Sequence, residues 1–594
     1  MRFRTTAAAF LTLLSSHALA YDATKASRYA SPDMYRPNVD RLIINGAGST
    51  GPIDGMSATP AGGSETRTIA GWLGDVTGAL AYVPTLSAKL TLAKWLDVPA
   101  RPQWWGAACD GATIDTTALQ SAVTGSASAG LRLRVTGTCV TARLNVPSAA
   151  QIDAVQSGGL KLTGTTGPIL LIAPNADNVL ISGLTFDWSS IGDANADLPA
   201  AAIGQTVGGN GGRVVIENNR FKALSLATSA NNHAVMLNGA NARIIGNYVE
   251  GTAGDTLNVN GGYTVFSNNY VGRSGDGCIA FNNSARGVAV GNILNKCTLG
   301  VGVGPMGTSA ITDHQQSLII VGNTIEGANL GVNMGWYAYE NREGPINWTI
   351  ANNVFRNSKQ AGVAYDGRAL GWVTNGAITG NTFTGTGATD FDGTQGSNAS
   401  DIRLSNASGV TITGNRLSAP RGATTKRAFY LIGSRNVTAT GNSIDGSLDV
   451  NANSNTTSAN VNRYDFVFDL LESQGANITG NQASNAGMFV KLDMSAAGGV
   501  YNTIISDNQA LDMNVQGINL QKDGSGFVIT NNILRATSWG IYLPSTAADF
   551  AITSNIIASV NNQAIAAPGG TSTLTNYVVT NNPHGSGTVP SGMN

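Results

Sequence analysis

Two aspartates in matching surroundings are the residues most suited to chemistry. Asp255 lies in Gly-Asp-Thr-Leu-Asn-Val (254–259) and Asp276 in Gly-Asp-Gly-Cys-Ile-Ala (275–280), 21 residues later, each just ahead of a short apolar run. Alignment on the apolar pairs Val235/Leu237, Leu257/Val259, Cys278/Ala280 and Val301/Val303 puts His233, Asp255 and Asp276 in one row, which continues as Leu299, Leu330 and Ala361. Carboxyls about 5 Å apart at an effective dielectric of about 20 repel by roughly 3 kcal/mol, or about two pK units. One member then holds its proton while the other ionises. An acid beside a base is what cleavage of a glycosidic bond requires, so Asp255, Asp276 and His233 are the catalytic candidates. Gly-Asp is also a common turn in which the carboxylate bonds its own backbone, and that reading stays open beside the first.

A row of side chains needs a repeating scaffold. The pattern apolar-x-x-Asn-x-apolar returns along most of the chain, with asparagines at 219, 247, 269, 292, 323, 353, 381, 415, 442, 481, 508, 532 and 555. Their spacings run from 22 to 39 residues, which reads as a coil of about 22 residues carrying insertions. Between them lie short Val- and Ile-rich alternations, often opened by Gly, that are too brief for helices and cannot bury a face alone. Stacked coils can. Asn tolerates the left-handed backbone of a sharp corner, and its side chain can bond along a ladder. The chain is therefore expected to be all-β, a right-handed parallel β-helix over residues 101–594. A short capping helix should cover its first coil, with Asp115 as N-cap and Leu119, Ala122 and Val123 as the buried stripe.

Charged residues are only 12% of the 594, and the net charge of −1 provides no basic field for phosphates, so nucleic acid is not an expected partner. Residues 1–20 read as a secretory signal, with Arg2 and Arg4, an apolar run and Ala-Leu-Ala before Tyr21. With no later apolar run long enough to span a bilayer, the expectation is a secreted protein, extracellular or periplasmic, with no membrane partner. Residues 21–100 are rich in Gly, Ser, Thr and Pro and lack the Asn motif, which marks them as a separate segment. The four cysteines fall into two local pairs, Cys109 with Cys139 and Cys278 with Cys297; the alternative is four buried thiols. No Cys or His spacing suggests a metal site, and no cofactor is expected.

Residues 254–304 resemble the core of the polygalacturonases, glycoside hydrolase family 28, and more broadly the pectate-lyase-like β-helices. That family has Asn-Thr-Asp-Gly, then Asp-Asp-Cys, then Cys-x-Gly-Gly-His-Gly. The resemblance implies Asp276 as general acid, Asp255 as the base that activates water, and a Cys278–Cys297 disulfide. Gly277 stands where the second paired aspartate belongs, Val301 stands near the family's histidine, and no Arg-x-Lys follows around 332–337. The leader, with Cys-Asp-Gly-Ala-Thr-Ile-Asp-Thr-Thr at 109–117, is similar to the lead-in of phage tailspike depolymerases and pectate-lyase-3-type domains. This resemblance implies a monomer or a homotrimer.

An insertion at 331–348 holds Trp336, Tyr337, Tyr339, Glu340, Arg342 and Glu343, and Asp366 and Arg368 lie on the next coil. Aromatic faces suit sugar rings, so Trp336, Tyr337, Tyr339, Glu340, Glu343, Asp366 and Arg368 are the substrate-binding candidates; a loop that only covers strand ends is the other reading. Three functions fit these features. The first is a glycoside hydrolase acting within a bacterial or plant polysaccharide. The second is a lyase on a uronic-acid polymer, using His233, Tyr337, Lys359 or Arg368 as base and calcium or arginine to neutralise the uronate, although no cluster of acids resembles a calcium cage. The third is a non-catalytic glycan-binding or surface β-helix.

Overall fold

A computed structural model describes the chain from residue 97 to 585, apart from 156–157, 166, 190–199, 207–211, 223–231, 240, 283–285, 305–316, 336–344, 367–371, 388–397, 419–424, 447–463, 494–498, 522–523, 537, 545, 559–561 and 568–573. Before it, four short antiparallel strands between Ile43 and Thr68 and a few single positions are described. The signal segment 1–20 lies outside the described residues, as do Trp336, Tyr337, Tyr339, Glu340, Arg342, Glu343 and Arg368.

Three long parallel sheets of 17, 16 and 17 strands run the length of the described chain and wind into a right-handed parallel β-helix. One coil shows the path. Leu257–Asn260 lies in the 16-stranded sheet, called the front sheet below, Tyr263–Ser267 in the second and Tyr270–Val271 in the third; Gly277–Asn282 then returns to the front sheet, pairing Leu257 with Ile279. The interior is a column of like on like. Phe186 stacks on Phe221 at 4.9 Å, Phe355 on Phe383 at 4.8 Å and Phe429 on Phe468 at 4.5 Å, so each coil covers the apolar face of the one before.

The asparagines form one buried ladder. Asn269 Oδ1 accepts from the Asn247 N–H and amide, and Asn292 and Asn323 repeat the contact at 2.8–3.0 Å. The ladder runs on to Asn582, a rung that the sequence pattern missed because His584 stands where the closing apolar residue belongs. One expectation is corrected here: the corner and the ladder are separate residues. The left-handed conformation belongs to the residue before each ladder asparagine, as at Asn268 (φ 53°), Gly291 (66°) and Asn352 (54°). This explains why the motif reads Gly-Asn or Asn-Asn.

The helix Thr116–Ala129 lies against the first coils and buries Leu119, Ala122 and Val123. Asp115 occupies the N-cap position but does not cap. Its carboxylate turns back to accept from the N–H groups of Ala108 (2.7 Å) and Cys109 (2.9 Å), which closes the loop ahead of the helix. Cys109 is joined to Cys139 and Cys278 to Cys297. Asp115, Cys109 and Cys139 cluster closely, but with both sulfurs in the disulfide they offer no thiolate to a metal.

Candidate functional site

Strands of the front sheet break the simple alternation of faces. Cys278 and Ile279 are successive and both buried in the core, as are Val467 with Phe468 and Phe489 with Val490. Some carbonyls accept twice along these strands: Ala234 and Val235 N–H both donate to the Thr256 carbonyl, and those of Thr298 and Leu299 both to Asp276 O. Each strand therefore sends two residues outward, one two places before the paired core position and one just after it. With Val235, Leu257, Ile279 and Val301 in register, one outward lane is His233, Asp255, Gly277, Leu299 and the other is Met236, Asn258, Ala280, Gly302.

This corrects the row read from the sequence. Gly277, not Asp276, stands beside Asp255; Asp276 is one residue upstream, at the entrance to its strand. The cause is the pair of adjacent core residues, which alignment by alternation counts as one inward and one outward. Leu299, Leu330 and Ala361 do continue the lane.

The three candidates nonetheless meet. Asp255 Oδ1 accepts from the Gly277 N–H at 2.9 Å and Oδ2 from the Asn258 amide at 2.9 Å. Both glycines of Gly-Asp-Gly are dictated by close approach: a Cβ on Gly277 would lie 2.5 Å from Asp255 Oδ1, and one on Gly275 2.0 Å from the Ala253 carbonyl. A second paired aspartate at 277, as in the polygalacturonase pattern, would require the Asp255 carboxylate to shift. Val301 is a core residue and cannot replace a surface histidine. Beneath the acids, the buried Ser274 hydroxyl is 2.7 Å from Gly254 O and 3.0 Å from Gly277 O, and Thr252 Oγ1 is 2.7 Å from Thr256 Oγ1, which braces both turns.

His233 Nδ1 donates to the Asp255 carbonyl at 2.8 Å, since a carbonyl can only accept, and this leaves Nε2 to accept. Burial pulls the imidazole below its ordinary pKa and favours the neutral form. Burial raises Asp255, against the opposing effects of His233, Gly277 and Asn258. Asp276 is pushed up to about 7, first by burial and then by the charge of Asp255. No described residue hydrogen-bonds or ion-pairs with its side chain. With donors on Asp255 and none on Asp276, the shared proton belongs on Asp276. Asn258 and Gly277 are the site residues that sequence reading missed; the Asp-x-x-Asn spacing across the two adjacent core residues was the available signal.

Lys359 and Asp366 are not brought to this centre. Asp366 ends the strand Ala361–Asp366, three rungs or about 14 Å along the axis, and Lys359 lies in the turn before that strand. Between stands a small apolar cluster of Leu299, Leu330, Ala361 and Ala364, separate from the main core, which bounds the acids on that side.

No family model matches the chain, and no curated protein matches it. Among solved structures it is similar to gene product 12 of bacteriophage phi29, at 11% identity and a TM-score of 0.48, covering 78% of this chain and 66% of that one, just under two thirds of its length. It is similar also to PfbA, a surface adhesin of Streptococcus pneumoniae (12% identity, TM-score 0.31, 79% and 92% covered). A third is the tailspike protein of E. coli bacteriophage HK620, solved in complex with a pentasaccharide (12% identity, TM-score 0.40, 82% and 79% covered). Likeness at these scores adds nothing to the β-helix that the strand pairing itself establishes.

Proposed function

We propose that the protein is an exported glycoside hydrolase that cuts within a polysaccharide, with Asp276 as general acid and Asp255 as the base that activates water. One observation carries this reading: two neighbouring carboxyls in unlike surroundings, Asp255 accepting from an N–H and an amide, Asp276 without a hydrogen bond or ion pair among the described residues and raised to about 7. Protonated near neutrality, Asp276 can give its proton to the leaving glycosidic oxygen; Asp255 can take one from water. His233, neutral and fixed through Nδ1, orients the Asp255 turn and offers Nε2 as an acceptor. The resemblance to glycoside hydrolase family 28 supports the same roles. With Gly277 and Val301 in place of an acid and a histidine, the substrate is expected to differ from plain polygalacturonate.

Product analysis after incubation with a panel of bacterial and plant polysaccharides tests the proposal. New reducing ends without the ultraviolet absorbance of unsaturated uronides are expected. Unsaturated ends would make the protein a lyase, and intact polymer retained on the protein would make it a binder.

A further inference from the structure

The front sheet continues well past the acids, and its outward lanes change character. From the strand Asn398–Ser405 onward, one lane reads Ser400, Arg427, Phe466, Met488, Gln516, Trp539 and the other Arg403, Tyr430, Asp469, Lys491, Asn519, Tyr542. Much of the charge here is paired within the lanes. Arg427 Nε donates to Asp469 Oδ2 at 2.6 Å while its guanidinium lies 4.2 Å from the Tyr430 ring centre, and Lys491 Nζ is 3.7 Å from Asp469 and 3.4 Å from Asp493. Arg403 is the exception. It makes no hydrogen bond or ion pair with any described residue, and its Nε is buried without a partner. Two rings, Trp539 and Tyr542, lie 5.5 Å apart at the far end of the same lanes, tilted by 58°.

A part-buried guanidinium whose Nε is out of water without an acceptor calls for an anion, preferably one that takes two N–H groups at once, as a carboxylate does. Rings on the same straight lane call for flat apolar faces, which pyranoses present. From Arg403 to Tyr542 is five rungs, or about 24 Å, which suits an extended polymer. We propose that this stretch is a second binding site, remote from Asp255 and Asp276, for a uronic-acid oligosaccharide: one sugar carboxylate pairs with Arg403, and sugar rings lie against Tyr430, Trp539 and Tyr542. The proposal is independent of whether the acids cleave anything.

Calorimetric titration of the full chain carrying Asp276→Asn, which prevents turnover from consuming the ligand, decides it. The probes are a panel of oligouronates, among them an oligogalacturonate with its methyl ester, which keeps the rings and removes the charge. The acid form should bind and the ester at least about tenfold more weakly, the range of one charge-assisted contact. Arg403→Gln should erase that difference, and Trp539→Ala should weaken both forms by a similar factor. Equal binding of acid and ester, or an unchanged acid affinity in Arg403→Gln, would overturn the role of Arg403. No binding by any oligouronate, or tighter binding of a single-stranded oligonucleotide, would overturn the site. Failure of the hydrolase reading appears instead as absent products from the wild-type chain and leaves these affinities untouched.

Discussion

Acids at one end of the front sheet and cations with rings at the other share a backbone, a register and a rung spacing, yet the charges are managed in opposite ways. Asp276 has no hydrogen-bond or ion-pair partner among the described residues and its carboxyl is lifted to about 7, whereas Asp469, more deeply buried, lies between Arg427 and Lys491. A β-helix supplies the same two outward places on every coil, so what distinguishes the two proposed sites is which charges are given a counterion. Each proposal rests on a group without a partner among the described residues: the Asp276 carboxyl in one region and the Arg403 Nε in the other.

The strongest way to break this comparison is at the acid end. Asp276→Asn and Asp255→Asn should each lower turnover by about 10² to 10⁴ with the fold intact, measured on the polysaccharide that wild type cleaves. In wild type, kcat/KM should fall as pH rises through about 7, because Asp276 then loses the proton it must donate. In Asp255→Asn the titration of Asp276, followed by NMR, should move down, since the neighbouring charge that helped to raise it is gone. Should both variants keep full activity, the acids are structural.

At the other end the comparison forecasts a stability effect. Arg427→Met strips Asp469 of its closest partner and leaves only Lys491 at 3.7 Å, which should cost about 3 kcal/mol in a denaturant melt. Replacing Arg427 and Asp469 together by apolar residues should recover most of the loss, because no buried charge is then left alone. The scaffold beneath should not distinguish the two ends. Asn269→Ala near the acids and Asn508→Ala near the cations remove the same set of contacts, two donated and two accepted, and each should cost about 2 kcal/mol. A large inequality would mean that the coils are not equivalent supports.

How much of this was legible in the sequence follows from what repeats. The ladder asparagines, the coil length and the cysteine pairs recur or sit close in sequence, so their positions declare themselves. The exact lane of Asp276 does not, because the backbone turn that sends both Cys278 and Ile279 inward has no residue signature of its own. Arg403, Tyr430, Asp469 and Lys491 are spread over 89 residues, and only the register aligns them. Their individual contexts, such as Asp-Ile-Arg-Leu and Val-Lys-Leu-Asp, look like ordinary strand alternation. Attention to insertions led instead to Trp336 and its neighbours, which lie outside the described residues.

The smallest effect gives the finest test, because the sheet carries a second carboxyl raised to about 7 on its opposite face. Asp401, fully buried, accepts hydrogen bonds from the Thr386 hydroxyl and the Tyr464 phenol; burial raises it, against the effect of those two bonds. Its usual value is near 3.8, so between about pH 4 and 7 the folded chain holds a proton that the unfolded chain has released. Stability from this group is therefore fully present below about pH 4 and is lost progressively as pH rises to 7. Asp401→Asn should flatten the decline of Tm across that window and leave the pH profile of kcat/KM unchanged, because the side chain faces the core. Asp276→Asn should flatten the same decline, since its folded value is raised in the same direction, but should also lower turnover by about 10² to 10⁴. Thermal melts at pH 5 and pH 8, run beside activity on the same samples, separate the two carboxyls. A change in the activity profile of Asp401→Asn would mean that the two faces of the sheet are coupled and that the outer lanes alone do not define the site.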